Sequence, residues 1–412
     1  MHIQSFLPLA FVGSVLGAAY GGPLVTNGRW IENNKGEHVT FAGINWPGAG
    51  ETMTPEGLQY KSIEAIVSDI KSLGMNVIRL TFATEMIDQQ FDKGRDTPLL
   101  ESFQAALGPE NGQAVFDKVL VNNPAFNMET TRLQVFDAIA AEADKQQIWI
   151  VLDNHISKGM WCCKEYDGNS WWGDTHFNAD NWRRGLNFMA TRGKDWKSLV
   201  GLGLRNELRR PTSVPAADAT YNWATWYKNM IPAADEVNVA NPDLLILYSG
   251  LNYDTDLSAI STGQHLGEEL YFKKSDFAYA NKMVLELHNY QTEAKECKEI
   301  TDGLYWNGFN ALDENNSSVQ NVMPVLLTEW GHDQTSEAYK GVYATCLATW
   351  LPQMQAGWMM WAIAGSYYIR EGEQDRDETW ALYNHDWSGW RQPAAAEKLR
   401  SQVAASLAVQ SQ

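Results

Sequence analysis

The sequence predicts an α/β protein: one closed barrel of eight parallel strands, (β/α)8, with long loops forming a cleft at one end. Three observations carry this. Short apolar runs alternate with segments of helical periodicity along almost the whole chain. No Gly-rich phosphate loop follows any run, which sets aside an open doubly wound sheet. A polar residue closes nearly every run, as it does where barrel strands leave the core and enter a cleft.

The runs expected as strands are 39–46, 77–82, 149–155, 200–207, 244–250, 284–290, 325–330 and 358–364. Their continuous hydrophobicity fits strands buried on both faces. Between the first two, Ile63, Ile66, Val67, Ile70 and Leu73 recur at helical spacing, and Gly74 marks the stop. The stretches 131–145 and 221–237 follow the same pattern. No low-complexity tract or Pro/Ser/Thr-rich linker interrupts 24–400, so 20–412 reads as one domain. Residues 1–19 read as a secretory leader: Phe6 to Ala19 is apolar, with small residues Gly17, Ala18 and Ala19 before Tyr20. This implies an extracellular protein, and the overlapping sequons in Asn315-Asn316-Ser317-Ser318 suit that compartment. No run is long enough to span a membrane.

The strand-end residues are Asn45 with Trp46, Arg79, Asp153 with Asn154 and His155, Asn206 with Glu207, Ser249, His288 with Tyr290, Glu329 and Trp361. A barrel brings such residues to one cleft. Glu207 and Glu329 are the informative pair. Cleaving a glycosidic bond builds positive charge at the anomeric carbon and negative charge on the departing oxygen, so it needs one protonated carboxyl and one ionised carboxylate. Their environments must separate their pKa values. Arg79 and Tyr290 would hold Glu329 ionised as the nucleophile. Glu207, beside Asn206 and loop tryptophans, would be the general acid/base. Asn206 would bond the sugar 2-OH, His155 and His288 would reach ring hydroxyls, and Trp361 would stack beneath the ring.

Composition narrows the partners. The formal net charge of −18 disfavours nucleic acid, which requires a basic face. The chain holds 18 Trp and 16 Tyr, several of them in polar surroundings. Trp161, Trp171, Trp172 and Trp387 are therefore candidate sugar-stacking platforms, with loop anchoring as the alternative. The acidic run 371–378 reads as a solvated loop. Four cysteines allow three full pairings. Cys346, in a helical apolar stretch, reads as a buried free thiol, leaving the Cys162-Cys163 pair to bridge to Cys297. The eight histidines are dispersed, so neither a metal centre nor a cofactor is expected, and a monomer is expected.

In these residues the chain resembles glycoside hydrolase family 5. The likeness rests on Arg79 in Val77-Ile78-Arg79-Leu80, His155 in Leu152-Asp153-Asn154-His155, Asn206-Glu207, His288-Asn289-Tyr290, Glu329 and Trp361, in family order over nearly the whole chain. Trp161-Cys162-Cys163, Arg205-Asn206-Glu207-Leu208-Arg209 and 366–372 resemble the plant and fungal cellulase-like members. The resemblance implies a retaining mechanism, two carboxyl groups about 5–5.5 Å apart, and β-linked glucosides as substrates, cleaved as by an endo-β-1,4-glucanase. Exo-action on small glycoconjugates, transglycosylation of glucan, and carbohydrate binding without catalysis are the alternatives.

Overall fold

The computed structural model describes residues 20–408, so the leader-like segment 1–19 lies outside the described residues. Eight parallel strands close into a barrel: β1 (Ala42–Trp46), β2 (Val77–Ala83), β3 (Trp149–Ile156), β4 (Leu199–Gly203), β5 (Leu245–Tyr248), β6 (Met283–Asn289), β7 (Val325–Trp330) and β8 (Gly357–Met360). Each strand pairs with the next in sequence, and β8 returns to β1 through Trp358 opposite Ala42. This is the (β/α)8 architecture the apolar runs predicted.

Side chains alternate across each strand, so one parity faces the barrel axis. Val77, Trp149, Val151, Leu245, Leu247, Val284 and Leu326 form one apolar cluster. A short hairpin, Val25–Asn27 with Trp30–Glu32, is flanked by Leu24 and contains Ile31, and both belong to that cluster. The amino end of the barrel is thus plugged with hydrocarbon. Two residues further along the same parity, the apolar residues give way to Arg79, Asp153 and Glu286, all fully buried. The register of β6 against β7 shifts between Leu287 and His288, which brings His288 opposite Glu329.

Local sequence explains the helix starts. Thr131 and Gln134 form a reciprocal capping box ahead of Arg132–Lys145. Ser62 caps Ile63–Ser72 by accepting from the Ala65 N–H, and Asn222 caps Trp223–Ala240 by accepting from Thr225. The expected helix 221–237 therefore starts two residues later and runs through Pro232. Helices Thr84–Lys93, Leu99–Leu107 and Pro109–Asn122 fill the connection after β2. After β8, strands β9 (Ser366–Arg370) and β10 (Glu373–Asp377) pair antiparallel. The acidic run is therefore not wholly a solvated loop: much of it is β10, and Glu378 just beyond is buried and bonded to Arg370.

The cysteine pairing expected from sequence is overturned. Cys162 is bonded to its neighbour Cys163, and Cys297 to Cys346. Cys346 is buried, as expected, but it faces the start of helix Cys297–Trp306, so it has a partner. That bond joins the helices following β6 and β7 and closes a separation of 49 residues. Replacing both residues (Cys297→Ser with Cys346→Ser) should lower unfolding stability by about 2–4 kcal/mol. Denaturant titration should show this with an unchanged far-UV spectrum.

Candidate active site

The site starts from one buried cation. Arg79, on β2, is fully buried at the carboxyl end of the barrel. Its Nη1 donates to Glu329 Oε1 at 2.7 Å and to Asn45 Oδ1 at 2.9 Å. Its Nη2 donates to Asn206 Oδ1 at 2.9 Å and lies 2.9 Å from Asp153 Oδ1. Glu286 Oε2 stands 3.8 Å away. Burial alone would lower the guanidinium pKa, but Asp153, Glu329 and Glu286 outweigh it and the net shift is upward. The same balance holds for Asp153, where burial is exceeded by Arg79 and His155 and the net shift is downward.

Glu329 ends β7. Tyr290 donates its hydroxyl to Glu329 Oε2 at 3.0 Å, so each carboxylate oxygen has its own donor. Such fixed donors orient the carboxylate before any substrate arrives.

Glu207 is held differently. β4 ends at Gly203, four residues short of Glu207, so the expected strand 200–207 is too long. Glu207 has φ +46°, in the left-handed region that costs a side-chain-bearing residue roughly 1–2 kcal/mol. Two hydrogen bonds offset this. Its N–H donates to Asp254 Oδ2 at 2.9 Å, and its carbonyl accepts from Arg209 Nη1 at 2.9 Å. The side chain keeps 14% of its exposure and faces His288 Nδ1 at 3.0 Å. Burial raises the Glu207 carboxyl above its ordinary range, with Arg209 opposing. Burial also pushes His288 down to about 4, which leaves its imidazole neutral at physiological pH. Nearest oxygens of Glu207 and Glu329, together with a His288 ring nitrogen, all lie within 4.8 Å of one another.

These two carboxyl groups share a cavity of about 320 Å³ with His155, Trp161, Asn206, Tyr290 and Trp361. His155 is tied to Asp153 through Nδ1 at 2.7 Å and stacks on Trp361, with centroids 5.4 Å apart and planes at 12°. Larger hollows elsewhere on the surface contain neither glutamate.

The structure separates the tryptophan candidates. Trp161 and Trp361 line the cavity. Trp46, Trp172 and Trp387 do not, and neither does Trp171. Trp46 is fully buried and donates Nε1–H to the Glu56 carbonyl at 3.0 Å. Trp172 is enclosed by Trp171, Phe177 and Trp182. Trp387 is buried against Tyr383 and over Gly57, where any Cβ would strike its ring at 2.3 Å. With their rings covered by protein, these side chains anchor loops and offer no face to a sugar.

Other residues in and behind the cavity wall were not among the sequence candidates. Arg370 on β9 holds its guanidinium 3.3 Å above the Trp161 ring and donates to Glu378 at 2.7 Å, and Trp380 packs on Tyr290. Asp254 follows β5 in a turn where Asn252, Tyr253 and Asp254 all have positive φ. Glu286, pushed up to about 7 by burial, breaks the apolar run Met283-Val284-Leu285-Glu286-Leu287, and that interruption was the available signal.

A family model described as Cellulase (glycosyl hydrolase family 5) matches residues 33–366. The chain belongs to glycosyl hydrolase family 5. A "Glycosyl hydrolase 5 family protein" of Chamaecyparis obtusa is 31% identical over 392 residues, covering 92% of this chain. The chain spans 65% of that relative's length. An "Endoglucanase" of Paenibacillus polymyxa is 23% identical over 390 residues, covering 91% of this chain and 86% of that one. Among solved structures, an endocellulase of Pyrococcus horikoshii in complex with cellotetraose superposes with a TM-score of 0.66 at 18% identity, covering 92% of this chain and 98% of that one. At that identity the likeness concerns the fold. Among the described residues no helix is long and apolar enough to cross a membrane.

Arg79→Ala would leave Asp153, Glu329 and Glu286 buried together without their shared cation. The expected cost is about 3–5 kcal/mol of stability, measured by denaturant unfolding.

Proposed function

We propose that this protein is a retaining β-glycosidase that hydrolyses β-linked glucosides by double displacement, with Glu329 as nucleophile and Glu207 as general acid/base. The observation that carries the reading is that one oxygen of each carboxylate lies within 4.8 Å of the other in one cavity. Retaining glycosidases keep their carboxyl groups about 5–5.5 Å apart, whereas inverting ones leave about 6.5–9.5 Å for a water.

In the first step a Glu329 oxygen attacks the anomeric carbon while Glu207 gives its proton to the departing oxygen. The carbon–oxygen bond breaks and a glycosyl ester forms on Glu329. In the second step Glu207, now ionised, takes a proton from water as that water attacks the same carbon and frees Glu329. The unequal environments support the roles. Glu329 is gripped by two donors. Glu207 is desolvated, and its raised pKa suits a group that must begin protonated. The neutral His288 beside it adds no positive charge that would strip the proton. Asn206 is held through Oδ1 by Arg79, leaving its NH2 to donate to a sugar hydroxyl.

The names of the relatives, and the cellotetraose bound to the Pyrococcus endocellulase, support β-1,4-linked glucan as substrate and endo-action. A second reading, exo-action on short glycosides, draws on the cavity itself. Its 320 Å³ is at the small end of the roughly 300–1,000 Å³ common for ligand sites, and the Arg370–Glu378 pair and Trp380 stand at its wall. The leader-like segment 1–19 supports secretion.

Glu329→Ala and Glu207→Gln should each lower kcat on an aryl β-glucoside by about 10³-fold or more, near 4 kcal/mol of barrier, with unfolding midpoints little changed. In the unsubstituted protein, kcat/KM should fall as pH rises through the raised Glu207 pKa, so the alkaline limb lies above the ordinary carboxylate range. That limb should vanish in Glu207→Gln. Near-normal rates in either variant, or a limb that persists, would remove the assignment.

A further inference from the structure

The cavity has one wall that the proposed mechanism leaves unused. Cys162 and Cys163 follow β3, are bonded to each other, and line the same cavity as the two glutamates. Their sulfurs and a Glu207 carboxylate oxygen all lie within 4.8 Å of one another. This cluster and the cluster of Glu207, His288 and Glu329 have only Glu207 in common. Glu207 therefore has both the disulfide and the nucleophile within 4.8 Å of its carboxylate. An acid/base carboxyl points its proton at the departing oxygen, so cavity-lining groups beside it border the space of the leaving group.

Asn206 adds a second, independent observation. Arg79 fixes its Oδ1, which forces Nδ2 toward the sulfurs at 3.8 Å from Cys162 Sγ and 3.7 Å from Cys163 Sγ. Disulfide sulfur is a weak acceptor, so this amide gives up its partner readily to a sugar hydroxyl. A pair of free thiols there would compete as donors, and a thiolate would place a second negative charge beside Glu207. The bonded pair is instead uncharged, polarisable and apolar at ordinary pH. Trp161 precedes it in sequence and lines the same cavity, with one face of its ring taken by the Arg370 guanidinium.

We propose that the Cys162–Cys163 disulfide is a substrate-contacting wall that selects leaving groups with a flat apolar face, such as a β-glucosyl ring or an aryl aglycone. This rests on the retaining β-glucosidase reading and names the leaving-group class of that site.

The test compares two β-glucosyl donors that differ in the leaving group. In 4-nitrophenyl β-glucoside the departing group presents a broad face to the wall; in β-glucosyl fluoride it presents none. In the double variant Cys162→Ser with Cys163→Ser, kcat/KM for the aryl glucoside should fall by about 10-fold, the scale of losing one methylene's worth of apolar contact. For the fluoride it should stay within about twofold. Should the variant fail to fold, reduction of the folded wild-type protein by a phosphine, with thiol labelling to verify opening at 162 and 163, should give the same selective loss. Equal losses on both donors would mean the bond merely supports Asn206 and Glu207, and would overturn the proposal. So would no loss on either. A wild-type protein that turns over neither donor would contradict the glycosidase reading along with this inference, an outcome distinct from equal losses in the variant.

Discussion

The Arg79 guanidinium lies in the barrel with no access to water, and the need to match that charge organises the rest of the site. A buried cation without close partners would be prohibitive. Here the matching groups come from four different strands or strand ends: Asn45, Asp153, Asn206 and Glu329. Each is then fixed by a second contact. Asn45 donates to the Thr328 carbonyl at 2.9 Å, beside Glu329. Asp153 accepts from His155, which stacks on Trp361. A barrel that closes in any other register would leave some of these groups buried and unmet. The electrostatics that prepare the site therefore also help to specify the fold.

The two glutamates differ because the protein treats them differently. Glu329 is on a regular strand, bonded on both oxygens. Glu207 is beyond the end of its strand, in an unfavourable backbone conformation held by Asp254 and Arg209, with a desolvated carboxyl beside a neutral imidazole. One environment suits a group that must be held still and aimed. The other suits a group that must hold a proton and release it.

Much of this geometry was legible in the sequence, and for a definite reason. Strands buried on both faces leave continuous apolar runs, and a run that ends in Arg, His, Glu or Asn marks where the chain leaves the core. That placed Arg79, His155, His288 and Glu329 at one end of a barrel. What was not legible depended on distant neighbours. Trp172 and Trp387 stand among polar residues in sequence, yet their rings are covered by residues such as Trp182 and Tyr383, brought in by tertiary packing. The Cys297–Cys346 bond required knowing that the helices after β6 and β7 lie side by side. Cys162 and Cys163 could pair with each other or with a third partner, and composition is silent between those choices. Glu378 looked like part of a solvated run, and only the β9–β10 hairpin brings it, with Arg370, to the cavity.

The most direct test of the account is to trap the covalent ester it requires. A 2-deoxy-2-fluoro β-glucoside with a good leaving group slows both steps, the second enough for the intermediate to accumulate. Incubation with the protein, followed by proteolysis and mass spectrometry, should find the fluorosugar on the peptide that carries Glu329, and Glu329→Ala should abolish the adduct. A sugar attached to Glu207 or elsewhere, or a product of inverted configuration with no adduct, would contradict it.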